Sequence, residues 1–363
     1  MKIVVIGTRG IPDIPGGVET HCQELFPRIA AKGNDVTVIR RSCYVEADTD
    51  RKEFEGVKLV DVYAPRKKSL EAIVHTFLAV IKAKRLKADV VHIHAIGPAL
   101  MAPFARMLGM KVVMTNHGPD YDRGKWGKLA KTFLKTGERF GTKAANRVIV
   151  ISTVIADILK NRYGRTDTDL IYNGVNAPVK SKNTDYINSL GLEPGKYIVG
   201  VGRFVEEKGF HALVEAYKKL PDKSFKLVIA GDSDHPDHYS ESLKKQAREA
   251  GVVLTGYIRG EKMNQVMTNA ALFAMPSYHE GLPIALLEAM SYDLDVLVSD
   301  IPANKISELS ADDFFPVGNV DELAAGLQRK LAEKATPRHH DLAKYDWDHI
   351  AEQINQLYHE LTK

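Results

Sequence analysis

The stretch Met275–Met290, MPSYHEGLPIALLEAM, decides how the second half of the chain folds. Leu272 to Met275 is a short apolar run of the kind that forms a buried strand, and a loop runs from Pro276 to Gly281. Pro283 is suited to the first position of a helix that continues through Met290. Two glutamates flank the turn. Glu280 lies on the loop beyond the strand, and Glu288 lies about one and a half turns into the helix, beside Ala285 and Leu287. A carboxylate on so apolar a helix needs partners, because an unpaired buried charge costs several kcal/mol.

The same alternation of strand and helix extends in both directions. In the second half, strands are expected near Tyr197–Val201, Phe225–Ala230, Val252–Thr255, Leu272–Met275, Val296–Ser299 and Phe314. In the first half they are expected at Lys2–Ile6, Asp35–Arg40, Val57–Tyr63, Asp89–His94, Lys111–Asn116 and Arg147–Ile151, with helices such as Glu19–Lys32 between them, the latter closed by Gly33. β-branched runs alternating with helical patterns signal parallel sheets covered on both faces. The chain has 363 residues, more than one hydrophobic core usually holds. The turn-rich text from Tyr172 through KSKNTD and GLEPGK is the expected linker. The reading is therefore α/β, with two Rossmann-like domains, residues 1–178 and 179–345. The last segment, 346–363, is an amphipathic helix with Trp347, Ile350, Ile354, Leu357 and Leu361 at helical spacing. It has no strand to serve.

Composition excludes several classes. A formal charge of +4, with 44% hydrophobic and 26% charged residues, describes an ordinary globular protein rather than a nucleic-acid binder driven by bulk charge. Cys22 and Cys43 offer neither a disulfide framework nor a zinc motif, which suits a reducing cytosol. No stretch approaches the roughly 20 apolar residues of a membrane span. The opening MKIVVIGTRG runs straight into a strand pattern, so no leader is expected.

In open parallel sheets, ligands bind beyond the carboxyl ends of the strands. After the first strand, a long loop ends in Gly16-Gly17 at a helix start, where backbone amides can approach an anion closely. A turn that merely needs positive φ explains the pair equally well. The loop is no dinucleotide fingerprint, and Arg40-Arg41 ends the second strand where an NAD site wants an acid. After the first strand of the second half come Arg203 and Lys208, two cations suited to a diphosphate, although a solvated lysine is the plain alternative. For Glu280 and Glu288, vicinal sugar hydroxyls are suitable partners; the plain alternatives are an exposed loop acid and an intradomain salt bridge, respectively. Between the two glutamates, the amides of Gly281, Leu282 and Ile284 suit a phosphate.

Taken together, PSxxEGxPxxxxEAM, Gly202-Arg203, Glu207-Lys208-Gly209, the Asn116-His117-Gly118 turn and the Gly-Gly-x-Glu loop resemble the retaining glycosyltransferases of family 4, which have the GT-B fold. The opening TRGIP…GGxET resembles the N-terminal domain of bacterial polysaccharide and rhamnosyl transferases. The resemblance implies two domains facing across a cleft, with the terminal helix crossing back to the first. It implies that Arg203 and Lys208 bind the donor diphosphate, Glu288 the ribose, and Glu280 the transferred sugar. It places His117 near the reacting carbon and Gly16 and Gly17 over the phosphates or the acceptor. No cofactor or metal is implied. The expected activity is hexosyl transfer with retention from a nucleoside-diphosphate sugar to a glycan or lipid-linked acceptor in bacterial surface polysaccharide synthesis. A UDP-sugar is favoured and dTDP-rhamnose is kept open. A sugar-nucleotide epimerase and a non-catalytic sugar-nucleotide-binding protein remain as alternatives.

His92 and His94 share one face of a strand, but no third ligand is expected near them, so a metal is not expected. From Lys125 to Arg147, the residues Lys128, Lys131, Lys135, Arg139, Lys143 and Arg147 form a basic stripe, with Leu129, Phe133 and Phe140 on the expected packed side. A solvated face explains the stripe. So does docking on an anionic membrane, which would put the protein at the inner face of the membrane, in the cytoplasm.

Overall fold

The computed structural model describes residues 1–45, 51–66, 71–122, 127–233, 236–306, 308–332 and 338–363. Lys125, the start of the expected basic stripe, lies outside them. The chain divides into two compact units, residues 1–174 with 344–363, and residues 175–343. These boundaries fall a few residues before the sequence-derived 178 and 345.

The first unit is built on strands β1 Lys2–Ile6, β2 Asp35–Arg41, β3 Glu53–Phe54, β4 Val57–Val62, β5 Val90–His94, β6 Lys111–Asn116, β7 Arg147–Val150 and β8 Asp169–Leu170. Their order in the sheet is β3-β4-β2-β1-β5-β6-β7-β8, all parallel except for the β3–β4 pair. All five residues of β5 are buried, as expected of a strand covered on both faces. β1 pairs with β2 on one side and β5 on the other, so the strand order reverses there. Loops after β1 and β5 therefore part at the point where such sheets hold ligands.

The terminal helix Trp347–Thr362 belongs to this unit. Asp346 caps it, its side chain accepting from the His349 amide at 2.8 Å. Its Trp347, Ile350, Ile354, Leu357 and Tyr358 share a core with Leu25, Phe26 and Ile29 of the helix Gly17–Ala31 and with Ile3, Val5, Val36 and Val38 of the sheet. Arg28–Asp348 and Lys32–Glu352 pairs line the edge of that contact.

The second unit holds β9 Tyr197–Val201, β10 Lys226–Ala230, β11 Val253–Gly256, β12 Leu272–Met275, β13 Asp295–Ser299 and β14 Phe314–Phe315. The order is β11-β10-β9-β12-β13-β14, wholly parallel, with the reversal between β9 and β12. The helix after β12 starts at Ile284, with Pro283 as its N-cap rather than its first residue. Among the described residues, no helix is long and apolar enough to cross a membrane.

Candidate active site

In the second unit, the loops after β9 and β12 are drawn together by one glycine. Gly209 is left-handed (φ 67°), and a Cβ there would lie 2.2 Å from the Pro276 carbonyl oxygen. Only glycine allows that approach without a shift of the backbone. The Tyr278 amide donates to the Glu207 carbonyl at 2.8 Å across the same junction. As a result, Lys208 Nζ reaches Glu280 Oε1 at 2.6 Å, while Ser277 Oγ donates to the same oxygen at 2.7 Å. The Glu280 side chain is only 10% exposed. Both hydrogen bonds fall on Oε1, and Oε2 has no described protein partner.

This geometry corrects two expectations. Glu280 is not the exposed loop acid considered for it, because it is enclosed and makes an intradomain salt bridge with Lys208. Glu288 itself is exposed, between the buried Leu287 and Ala289, because helix periodicity turns position 288 away from the sheet. The burial argument for a ribose ligand therefore does not hold. Arg203 follows β9 and is partly exposed. Gly281 and Ile284 are partly exposed at the head of the helix, and Leu282 is buried.

In the first unit, the loop after β1 is held by charge. Glu19 accepts from the Arg9 amide at 3.0 Å, from the Arg9 guanidinium at 3.1 Å and from Thr8 Oγ1 at 3.2 Å. Burial pushes this carboxyl up, but the Arg9 charge and hydrogen bonds outweigh burial and hold it below the usual glutamate range. Gly16 lies directly against this pair: at φ 148°, its Cβ would be 2.1 Å from Glu19 Oε2. A Cβ on Gly17 would meet nothing within 4 Å. The two glycines therefore differ, the first being required by the fold and the second facing open space.

His92 and His94 of β5 are fully buried. The His92 ring nitrogens contact Tyr358 Oη at 2.5 Å and Thr115 Oγ1 at 2.7 Å. His94 Nδ1 lies 3.0 Å from His117 Nε2, and His21 Nδ1 lies 3.0 Å from Asn173 Oδ1. Burial pushes His21, His92 and His117 each down to about 3, and the neighbouring rings add to the shift: His117 for His21, His21 for His92, and His92 for His117. All are neutral at pH 7. His92 and His94 do not act as a pair: ring nitrogens of His21, His94 and His117, without His92, lie within 4.8 Å of one another. This is the one set among the described residues able to converge on an ion. The histidine pattern on β5 gave no hint of it, because His21 comes from a helix and His117 from the loop after β6.

Sequence reasoning missed further residues. Glu138 is completely buried and accepts from Asn116 Nδ2 at 3.1 Å, Tyr121 Oη at 2.9 Å and Tyr163 Oη at 2.8 Å. It thereby holds the turn that carries His117. Glu138 sits on the basic helix Lys128–Ala144, where it reads as one more surface charge. That helix also corrects the expected packing. Leu129 is 89% exposed and Phe140 43%, whereas Gly137, Glu138, Gly141 and Thr142 are buried. Arg147 is not on the helix at all; it lies on β7, paired with Asp169 and Glu360.

Residues 182–349 match the family described as glycosyl transferases group 1, and residues 15–177 match Glycosyltransferase Family 4. The GDP-mannose:cellobiosyl-diphosphopolyprenol alpha-mannosyltransferase of Xanthomonas oryzae pv. oryzae is 29% identical over 75% of this chain and 74% of that protein. Among solved structures, sucrose-phosphate synthase from Thermosynechococcus elongatus superposes with a TM-score of 0.84 at 22% identity, covering 99% of this chain and 98% of that one. HepE of Anabaena, solved in complex with UDP and glucose, gives 0.81 at 18% identity, over 99% and 100%. With both halves matched and that architecture shared, the chain is a glycosyltransferase of family 4 with the GT-B fold.

Proposed function

We propose that the protein transfers a hexosyl unit, with retention, from a nucleoside-diphosphate sugar to a hydroxyl of a glycan or lipid-linked acceptor in bacterial surface polysaccharide synthesis. The observation that carries this reading is the Lys208–Glu280 pair at the reversal point of the second sheet, with Glu280 Oε2 left over. An ammonium has three donors, so Lys208 can hold Glu280 and a phosphate oxygen together. Arg203 completes the counter-charge to the leaving diphosphate. Glu280 Oε2 accepts from a hydroxyl of the transferred sugar, Glu288 accepts from the ribose, and the head of the helix at Gly281, Leu282 and Ile284 faces phosphate. His117 contacts the sugar near the reacting carbon. Gly17, with open space around it, admits phosphate or acceptor, and Gly16 shapes the loop. No metal takes part in this scheme, because the two cations supply the charge.

A UDP-sugar donor is favoured by the HepE complex, with dTDP-rhamnose kept open by the TRGIP loop. A lipid-linked acceptor is favoured by the diphosphopolyprenol acceptor in the name of the Xanthomonas relative and by the basic helix Lys128–Ala144, whose exposed Lys128, Lys135, Arg139 and Lys143 and partly buried Lys131 suit an anionic membrane surface. The location proposed with this acceptor is the cytoplasmic face of the membrane.

A thermal-shift panel of UDP, GDP, dTDP and ADP sugars tests the donor, since a ligand that binds only the folded state raises Tm by mass action. One nucleotide series should stabilise the wild type and fail to stabilise Glu288→Ala. An equal response in the variant would remove the ribose role. No response to any series would remove the donor reading.

A further inference from the structure

His94 makes a contact in the cluster to which no role is yet assigned. It is sealed on β5, with its Nδ1 3.0 Å from Nε2 of His117. Both rings are neutral, so a single proton lies between those nitrogens, and it sits on one of them or the other.

The other nitrogen of His94 distinguishes the two arrangements. His94 Nε2 is buried and has no hydrogen-bond partner among the described residues. The Phe26 ring, edge-on at 5.5 Å between centroids, and the His92 ring at 4.2 Å pack against the His94 ring. If His117 donated from Nε2, the proton of His94 would have to sit on its own Nε2, orphaning a buried N–H. If His94 donates from Nδ1, only a lone pair lacks a partner. Orphaned buried N–H groups are the rarer defect, and acceptors short of a donor are more readily tolerated. Donation from His94 therefore prevails, and it leaves the proton of His117 on Nδ1. That nitrogen has no described protein partner, and His117 is the partly exposed member of the cluster. His21, fixed through Nδ1 to Asn173, stands edge-on to the His117 ring at 4.9 Å and limits its rotation.

We propose that His94 is a positioning residue that fixes His117 as the Nδ1–H tautomer, so that His117 meets the donor sugar as a hydrogen-bond donor and has no free lone pair with which to act as a base. The sugar contact rests on the proposed function; the tautomer does not.

The test uses the free protein, without nucleotide or sugar. Nitrogen-15 spectra of the imidazole rings, with His117 assigned by comparison with His117→Gln, report which nitrogen carries the proton. The expected result at pH 7.5 is a His117 protonated on Nδ1 and accepting at Nε2. A His117 protonated on Nε2 overturns the proposal. His94→Phe removes the donor, and the His117 proton should move to Nε2, the tautomer favoured in water. His94→Asn places an amide N–H near the lost Nδ1 and should keep the proton on Nδ1. A tautomer unchanged in His94→Phe shows that His94 does not set it and overturns the proposal. If His94→Phe does not fold, the wild-type and Asn spectra decide. Should the tautomer be as stated and His117→Ala still transfer sugar at the wild-type rate, the sugar contact fails and His94 keeps only its hold on the ring.

Discussion

The two units share one plan, a mainly parallel sheet whose strand order reverses beside its first strand, yet they place opposite chemistry at that point. In the first, four buried or largely enclosed imidazoles are neutral and bound to one another, to Asn173, to Thr115 and to Tyr358 of the terminal helix. In the second, an ammonium and a carboxylate face each other at 2.6 Å with one carboxylate oxygen to spare. The neutral site depends on packing that excludes water, because an imidazolium cannot be accommodated there. The charged site depends on a backbone approach at Gly209 that brings two loops within reach. The first should thus fail with acid, and the second with the loss of a charge.

Acid should produce the largest effect. His21, His92 and His117 are held near 3 in the folded protein, against about 6.5 in an unfolded chain. Their folded values are depressed, so their neutral-form stability is fully present above pH 6.5 and is lost as pH falls below it, where the unfolded chain takes up protons that the folded one refuses. Each histidine contributes about 1.4 kcal/mol per pH unit in that window. The Tm of the first unit should drop steeply between pH 6.5 and 5, ahead of the second. Calorimetry showing no change over that interval would mean that the cluster admits protons, and the contrast between the units would disappear.

Next comes the charged site. Glu280→Gln keeps the shape and removes the charge, and transfer should fall by about a hundredfold or more, roughly 2.7 kcal/mol, with little change in Tm. A loss of less than about tenfold would mean that Oε2 does not touch the sugar. Smaller still is the effect at the paired glycines. Gly16→Ala should cost about 1–3 kcal/mol of stability, from a positive φ and from collision with the Arg9–Glu19 pair. Gly17→Ala has room for its methyl and should fold normally. If Gly17→Ala keeps its Tm and loses transfer, a ligand approaches that backbone; if it keeps both, Gly17 has no part in binding.

How far the sequence revealed this arrangement depends on how local each feature is. The long strands were legible because Lys2–Ile6, Lys111–Asn116 and Leu272–Met275 are continuous apolar or β-branched runs, and the structure places them at those residues. β3 and β8 were not, since each has two residues and lies at or near a sheet edge, with no pattern to read. Arg203, Lys208 and Glu280 stood out as charges after strands, but the Lys208–Glu280 pairing rests on the fit of Gly209 against Pro276. His21 was hidden in the buried face of an ordinary amphipathic helix, and its partner Asn173 is 152 residues away. The exposure of Glu288 was misjudged because Leu287 and Ala289 made the whole segment look internal.

The basic helix is the other place where local pattern misled, and it leads to the smallest effect. Periodicity put Leu129 and Phe140 on the packed side, but that face is taken by glycines: a Cβ on Gly137 would lie 2.2 Å from the Ile96 carbonyl oxygen. Close approach of helix to loop leaves Leu129 and Phe140 outside, beside Lys128, Lys135, Arg139 and Lys143. An exposed helix with apolar and basic residues together is what an anionic interface binds, at about 1 kcal/mol per cation near the surface. Sedimentation with phosphatidylglycerol vesicles should therefore exceed that with phosphatidylcholine and weaken in high salt, as the Debye length shortens. Lys128→Glu with Lys135→Glu should remove the preference while leaving transfer to a soluble acceptor unchanged, because neither side chain belongs to the histidine cluster or to the ion pair. Equal sedimentation with both lipids would make the stripe a solvated face, and the two units would then differ in their sites alone.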